Sequence, residues 1–95
     1  MLDGEPFKAF VAKKMVAEII ATGTVVFGTH SLDEMRKDGL AVSDCHNLLR
    51  AGIFGEAEWE KGEWRYRVQT PRMVFVFAFA SETEIRIVTA WRKNR

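Results

Sequence analysis

The run Met73-Val74-Phe75-Val76-Phe77-Ala78-Phe79-Ala80 constrains this chain more than any other stretch. Its successive apolar residues, rich in β-branched and aromatic types, leave no polar side to turn to water. They predict a strand buried on both faces. The polar turn Ser81-Glu82-Thr83-Glu84 follows, and Ile85 to Arg92 then reads as a second strand, paired antiparallel with the first. A strand buried on both faces needs a covering layer, and the N-terminal half supplies helices for it.

Pro6 suits the first turn of a helix, where its missing N–H costs nothing. The first helix is expected from about Pro6 to Thr22, with an apolar stripe of Phe7, Val11, Met15 and Ile19, widened by Phe10 and Ile20. Gly23 is placed to end it as the residue past the C-cap. Thr24 to Phe27 is short and β-prone, an edge strand or an extended link. Ser31-Leu32-Asp33-Glu34 matches a capping box, so a second helix is expected from about Ser31, ending by Gly39 with Leu40 in a Schellman stop. Ser43-Asp44 opens a third helix that runs to about Ala51, before Gly52. From Ile53 the period changes to alternation. Glu56 to Glu60 is expected as an exposed strand, Lys61-Gly62 as a turn, and Trp64 to Gln69 as a strand. On that strand Trp64, Tyr66 and Val68 take one face, and Arg65, Arg67 and Gln69 take the other. Helices first and a meander of strands afterwards predict an α+β fold, with N-terminal helices packed on one face of a curved antiparallel sheet.

With 95 residues, the chain is read as a single domain spanning residues 1–95. The lone cysteine, Cys45, excludes an internal disulfide and suits a reducing cytoplasm. The apolar run is too short to span a membrane, and the N-terminus lacks a signal-peptide pattern. The net charge of +1 conceals an asymmetry. Residues 1–63 hold 7 Lys and Arg against 11 Asp and Glu, whereas residues 64–95 hold 7 against 2. A basic sheet beside an acidic helical half suggests an anionic partner on the sheet side, although arginines also decorate exposed strands for solubility.

Metal, thiol and phosphate-loop chemistry find little support. Cys45 and His46 are adjacent, so on a helix they point about 100° apart and rarely share an ion. No metal ligand and no cofactor are expected. Cys45 falls on the apolar face of its helix, where a thiol is inert. What remains is a basic and aromatic group on strands. Arg65 and Arg67 share one strand face, Arg86 and Arg92 are expected to share a face of the last strand, and Trp59, Trp64, Tyr66 and Trp91 are near in sequence. Arginine grips phosphate bidentately and aromatic rings stack on unpaired bases, so this is a candidate surface for single-stranded RNA. The competing account pairs the arginines with Glu56, Glu58, Glu60 and Glu63 across neighbouring strands. His30 stands before the second helix, where it serves as a general acid or base, or hydrogen-bonds the incoming chain.

The order helix, short strand, His30-x-x-x-x-Met35-Arg36-x-x-Gly39-Leu40, a helix ending Leu48-Leu49-x-x-Gly52, then strands closing on Ile87-Val88-Thr89-Ala90-Trp91-Arg92 resembles the small bacterial proteins of the RelE superfamily. MqsR-like toxins and related domains of unknown function are the nearest in pattern, through Gly39 to Leu49 with Asp44, Cys45 and Asn47. The resemblance covers roughly residues 7–92. It implies a RelE-like domain and a metal-independent endoribonuclease, an mRNA interferase of a bacterial toxin–antitoxin pair. The partners implied are mRNA and a cognate antitoxin, often of zinc-finger and helix-turn-helix type. Arg65 and Arg92 fall where the resemblance implies active-site residues; together with Arg67 they are expected to stabilise charge, with His30 or Tyr66 expected to transfer the proton. Arg72, Arg86, Lys93 and Trp91 are the residues expected to contact RNA. The family's central-strand tyrosine has no equivalent in Met73 to Ala80. The alternative is a non-catalytic domain of the same fold that binds RNA or a protein partner.

Overall fold

The computed structural model describes residues 2–93. Among these residues the order is α1 (Ala9–Thr22), β1 (Thr24–Phe27), α2 (Thr29–Lys37), α3 (Val42–Ala51), β2 (Ile53–Phe54), β3 (Glu58–Glu60), β4 (Glu63–Gln69), β5 (Met73–Ser81) and β6 (Glu84–Arg92). The fold is α+β. The sheet runs β1-β6-β5-β4-β2, with β3 pairing β4 beyond β2, and it does not close. It is mixed rather than wholly antiparallel, because β1 runs parallel to β6. The cause is local. Thr24 N–H donates to the carbonyl of Thr83 in the β5–β6 turn (2.9 Å), so β1 and β6 start from the same end of the sheet. Among the described residues no helix is long and apolar enough to cross a membrane.

β5 is the central strand, as its composition requires. Phe75, Phe77 and Phe79 face the helices and join one core with Val16, Ile19, Met35, Leu48, Tyr66 and Ile85. Val74, Val76 and Ala78 point the other way and are also buried. Val76 lies at the base of a cleft shared with Arg67 of β4 and with Thr89 and Trp91 of β6. Each fully buried valine contributes about 1.5–3 kcal/mol relative to exposure.

The helices depart from the expected bounds in ways that tertiary contacts explain. α1 begins at Ala9 with Lys8 as its N-cap, and Pro6 lies outside it after a cis peptide bond. Phe7 is held off the helix: its N–H donates to Tyr66 Oη (3.1 Å), and its ring meets Phe79 edge-on. The buried row of α1 is Ala12, Val16 and Ile19; Met15 and Ile20 pack beside it as expected, whereas Phe10 is 71% exposed. Gly23 ends α1 without a left-handed turn. A Cβ there would overlap the Thr83 carbonyl, so close approach to the β5–β6 turn selects glycine. Ser31 is not an N-cap. α2 begins two residues earlier after Gly28, and the buried Ser31 hydroxyl donates to the Gly28 carbonyl (2.8 Å). The Schellman stop is present: Leu40 N–H reaches the Met35 carbonyl (2.8 Å), Gly39 N–H reaches that of Arg36 (3.1 Å), and Gly39 has φ +68°. At the start of α3, Asp44 Oδ2 accepts from the Ala41 N–H (2.8 Å). Ala41 has no side-chain acceptor, so only this half of a capping box exists.

Two irregularities shape the far side of the sheet. In the β5–β6 ladder the register slips between Val76 and Phe77, so that Val76 faces Thr89 while Phe77 faces Ile87. On the outer edge, Phe54 pairs with Val68 and Glu58 pairs with Arg65. Gly55 to Ala57 thus span a gap that only Tyr66 and Arg67 span on β4, which is a one-residue bulge.

Candidate functional site

Alternation along β4 sends Glu63, Arg65, Arg67 and Gln69 to the face away from the helices, while Tyr66 and Val68 enter the core. Register then builds rows across this face. Gln69 faces Val74, which faces Trp91; Arg67 faces Val76, which faces Thr89; Ala78 faces Arg86. β3 closes one side, because Glu58 is opposite Arg65 and directly opposed residues share a face. The result is a cleft of about 120 Å³, floored by Val76 and lined by Glu56, Glu58, Glu60, Arg65, Arg67, Thr89 and Trp91.

Its cations are held differently. Arg65 is 17% exposed and doubly tied, Nε to Glu63 Oε2 (2.9 Å) and Nη1 to Glu60 Oε2 (3.3 Å). Glu63 also accepts from Arg86 Nη2 (2.6 Å), so one carboxylate joins β4 to β6. Burial raises the Glu63 carboxyl pKa, but the hydrogen bonds and charges of Arg65 and Arg86 outweigh it, and the net shift is downward. Arg67 has no carboxylate within salt-bridge distance among the described residues. Its guanidinium lies over the Trp91 ring, 5.3 Å from the centroid. Next in line, Lys93 Nζ donates to Gln69 Oε1 (2.6 Å). Arg72 is exposed on the β4–β5 turn, where its carbonyl accepts from Lys93 N–H (2.7 Å).

Three of the residues expected to act in catalysis lie elsewhere. Arg92 and Arg86 do not share a face, because the slip before Phe77 reverses the alternation of β6. Arg86, Thr89 and Trp91 face the cleft side, whereas Ala90 is in the core and Arg92 turns to the helices. Arg92 Nε donates to the Asp38 carbonyl (3.0 Å) and Nη2 to that of Gly39 (3.1 Å), while its N–H meets Asp38 Oδ2 (2.7 Å). It fastens the end of α2 to β6. Tyr66 borders the cleft with its strand, but its ring is fully buried on the helix side, stacked on Phe77. Its hydroxyl donates to Glu5 Oε2 (2.8 Å) and accepts from Phe7 N–H. Burial, and then the Glu5 carboxylate, push the phenol above its ordinary pKa; the Phe7 hydrogen bond opposes them. His30 is exposed on α2, in a shallow hollow with Asp33, Glu34, Arg36 and Lys37. The cleft therefore gathers Arg65, Arg67 and Trp91, with Arg86 and Lys93 beside it, and leaves out Arg92, His30 and the ring and hydroxyl of Tyr66.

The charge asymmetry also resolves differently. Residues 1–55 carry six cations against seven carboxylates, close to balance. The acidity lies in Glu56, Glu58 and Glu60, which fold onto the arginine strand, and in Glu63, which belongs to that strand. The site is thus charge-balanced, with four carboxylates beside Arg65, Arg67, Arg86 and Lys93. Thr89 escaped notice in the sequence, since its inward aim depends on a slip that no turn residue announces. Among the described residues no group of three or more His, Cys, Asp or Glu is arranged to hold a metal ion. Cys45 is buried, and burial pushes its thiol up to about 12, which keeps it protonated and unreactive.

No family model, curated protein or solved structure matches this chain.

Proposed function

We propose that this chain is a metal-independent endoribonuclease, acting on single-stranded RNA in the cleft between β3, β4 and β6. One observation supports it above the others. Arg67, unpaired with any carboxylate among the described residues, stands in the same cleft as Arg65 and against the face of a tryptophan ring. A guanidinium grips a phosphodiester and an indole stacks on an unpaired base, so both groups that a single strand offers meet a partner. Catalysis by such a site is largely electrostatic, with the arginines stabilising the negative charge that grows on the phosphorane-like transition state. The proposed setting is a toxin–antitoxin pair in the bacterial cytoplasm, with mRNA as substrate and a cognate antitoxin as silencing partner.

The test is cleavage of a defined single-stranded RNA by purified protein with EDTA present, comparing wild type with Arg67→Ala. The expected loss is roughly 10²–10³ in rate, the scale of one transition-state donor. Equal cleavage by both proteins would remove Arg67 from the site. A second reading, a non-catalytic domain that binds RNA or a protein partner, is favoured by two facts: among the described residues no histidine lines the cleft, and the Tyr66 hydroxyl points away from it. Expression in cells separates the two. Growth arrest that Arg67→Ala relieves supports the nuclease, and harmless expression supports the binding domain.

A further inference from the structure

If RNA is cleaved in this cleft, a group must remove the proton of the ribose 2′-OH. Arginine stays protonated and does not serve. Tyr66 is turned into the core and His30 is exposed on α2. Four carboxylates remain. Glu60 is bound to Arg65, and Glu63 to both Arg65 and Arg86, so each is already committed to a cation through its Oε2. Glu56 sits in the bulged link, off the ladder. Glu58 differs from all three. It lies on a paired strand, directly opposite Arg65, and its carboxylate, like that of Glu56, makes no hydrogen bond or ion pair among the described residues. Directly opposed residues on antiparallel strands have Cα atoms about 4.5–5.5 Å apart and side chains on the same face. A phosphate held between Arg65 and Arg67 therefore has the free Glu58 carboxylate beside it.

We propose that Glu58 is the general base of this site, a role that rests on the nuclease reading of the cleft. The 2′-oxygen attacks the adjacent phosphorus while its proton passes to the Glu58 carboxylate. The O2′–P bond forms and the P–O5′ bond breaks. The leaving 5′-oxygen takes the bonding pair and a proton from solvent water. The products are a 2′,3′-cyclic phosphate and a 5′-hydroxyl, and Glu58 returns its proton to solvent. No electron acceptor or donor enters the balance.

The sign of the mutational effect separates this role from a merely electrostatic one. Removing a negative charge from an RNA-binding cleft strengthens binding, whereas removing a base slows the chemistry. The experiment measures single-turnover cleavage of a defined RNA by wild type, Glu58→Gln, Glu58→Asp and, as a control on the exposed β5–β6 turn, Glu82→Gln. Binding is measured separately, with the same RNA carrying a 2′-deoxy group at the cleaved position. Thermal unfolding checks that each variant folds, as the absence of any bond to Glu58 leads one to expect. The expected result for Glu58→Gln is a rate roughly 10²–10⁴-fold lower with binding equal or tighter, since that is the usual contribution of a positioned base. Glu58→Asp should retain part of the activity and Glu82→Gln, outside the cleft, all of it. Wild-type rates in Glu58→Gln would overturn the role of Glu58 and leave the nuclease reading standing. Failure of wild type to cleave any RNA offered would overturn the nuclease reading, and the role of Glu58 with it.

Discussion

Replacing Arg92 by alanine separates two uses of an arginine in this fold. Its guanidinium makes two charge-assisted bonds, to the carbonyls of Asp38 (3.0 Å) and Gly39 (3.1 Å), at the point where α2 has ended in its Schellman turn. A hydrogen bond involving a charged group contributes about 1.5–3 kcal/mol when well buried. Arg92 is half-buried, so solvent screens part of this, and alanine leaves the backbone bond to Asp38 intact. The expected cost is about 1–2 kcal/mol. For a domain of this size each kcal/mol lowers Tm by about 4–8 °C, which gives a fall of about 5–15 °C. Arg67→Ala should move Tm little, because its contact is one cation–π pair in an open cleft. The assay is thermal unfolding of both variants, followed by RNA cleavage well below either midpoint. Arg92→Ala should then cleave at close to the wild-type rate, and Arg67→Ala should not. An Arg92→Ala protein with unchanged Tm and lost cleavage would refute the reasoning, since it would place that guanidinium on the substrate.

Glu63 makes stability depend on pH. Its folded-state pKa lies below the unfolded value, so its contribution is present above the unfolded pKa and is lost as pH falls through the folded one. Unfolding titrations between about pH 2 and 6 should show a shallower acid loss in Glu63→Gln than in wild type. Tyr66→Phe leaves Glu5 Oε2 and the Phe7 N–H without their partner and should cost about 1–3 kcal/mol by urea unfolding. Below its own midpoint it should keep full RNA cleavage, and loss of cleavage in a folded Tyr66→Phe protein would return that hydroxyl to the site.

Legibility in the sequence followed the range of the interaction. The buried central strand could be read because eight apolar residues in a row permit little else. The β4 faces and the stop at Gly39-Leu40 could be read because side-chain alternation and a glycine-dependent turn are local. The parallel pairing of β1 could not, since it depends on Thr83, which is distant in the chain and reaches Thr24 only after folding. Ser31 misled because a serine before a glutamate is the signature of a cap. In the structure the hydroxyl donates backwards instead of accepting. Arg92 misled for a geometric reason. Strict alternation puts it with Arg86, and one register slip near Thr89 sends it to the opposite side.

The same slip decides what the cleft can do. Without it, Trp91 would point to the helices and Arg92 would join Arg65 and Arg67, making a plainly basic face. With it, an indole replaces a cation at that end, and β3 lines the other side with carboxylates. A basic face binds nucleic acid broadly through counterion release, with little demand on geometry. A charge-balanced cleft gains little affinity that way. It favours a ligand whose phosphate reaches Arg67 while the rest of the chain stays clear of Glu56 and Glu58, which suits a flexible single strand better than a duplex. The carboxylates that weaken binding are also the groups in the cleft able to accept a proton. A nuclease at this site would thus give up general affinity for RNA in return for a base beside the bound phosphate.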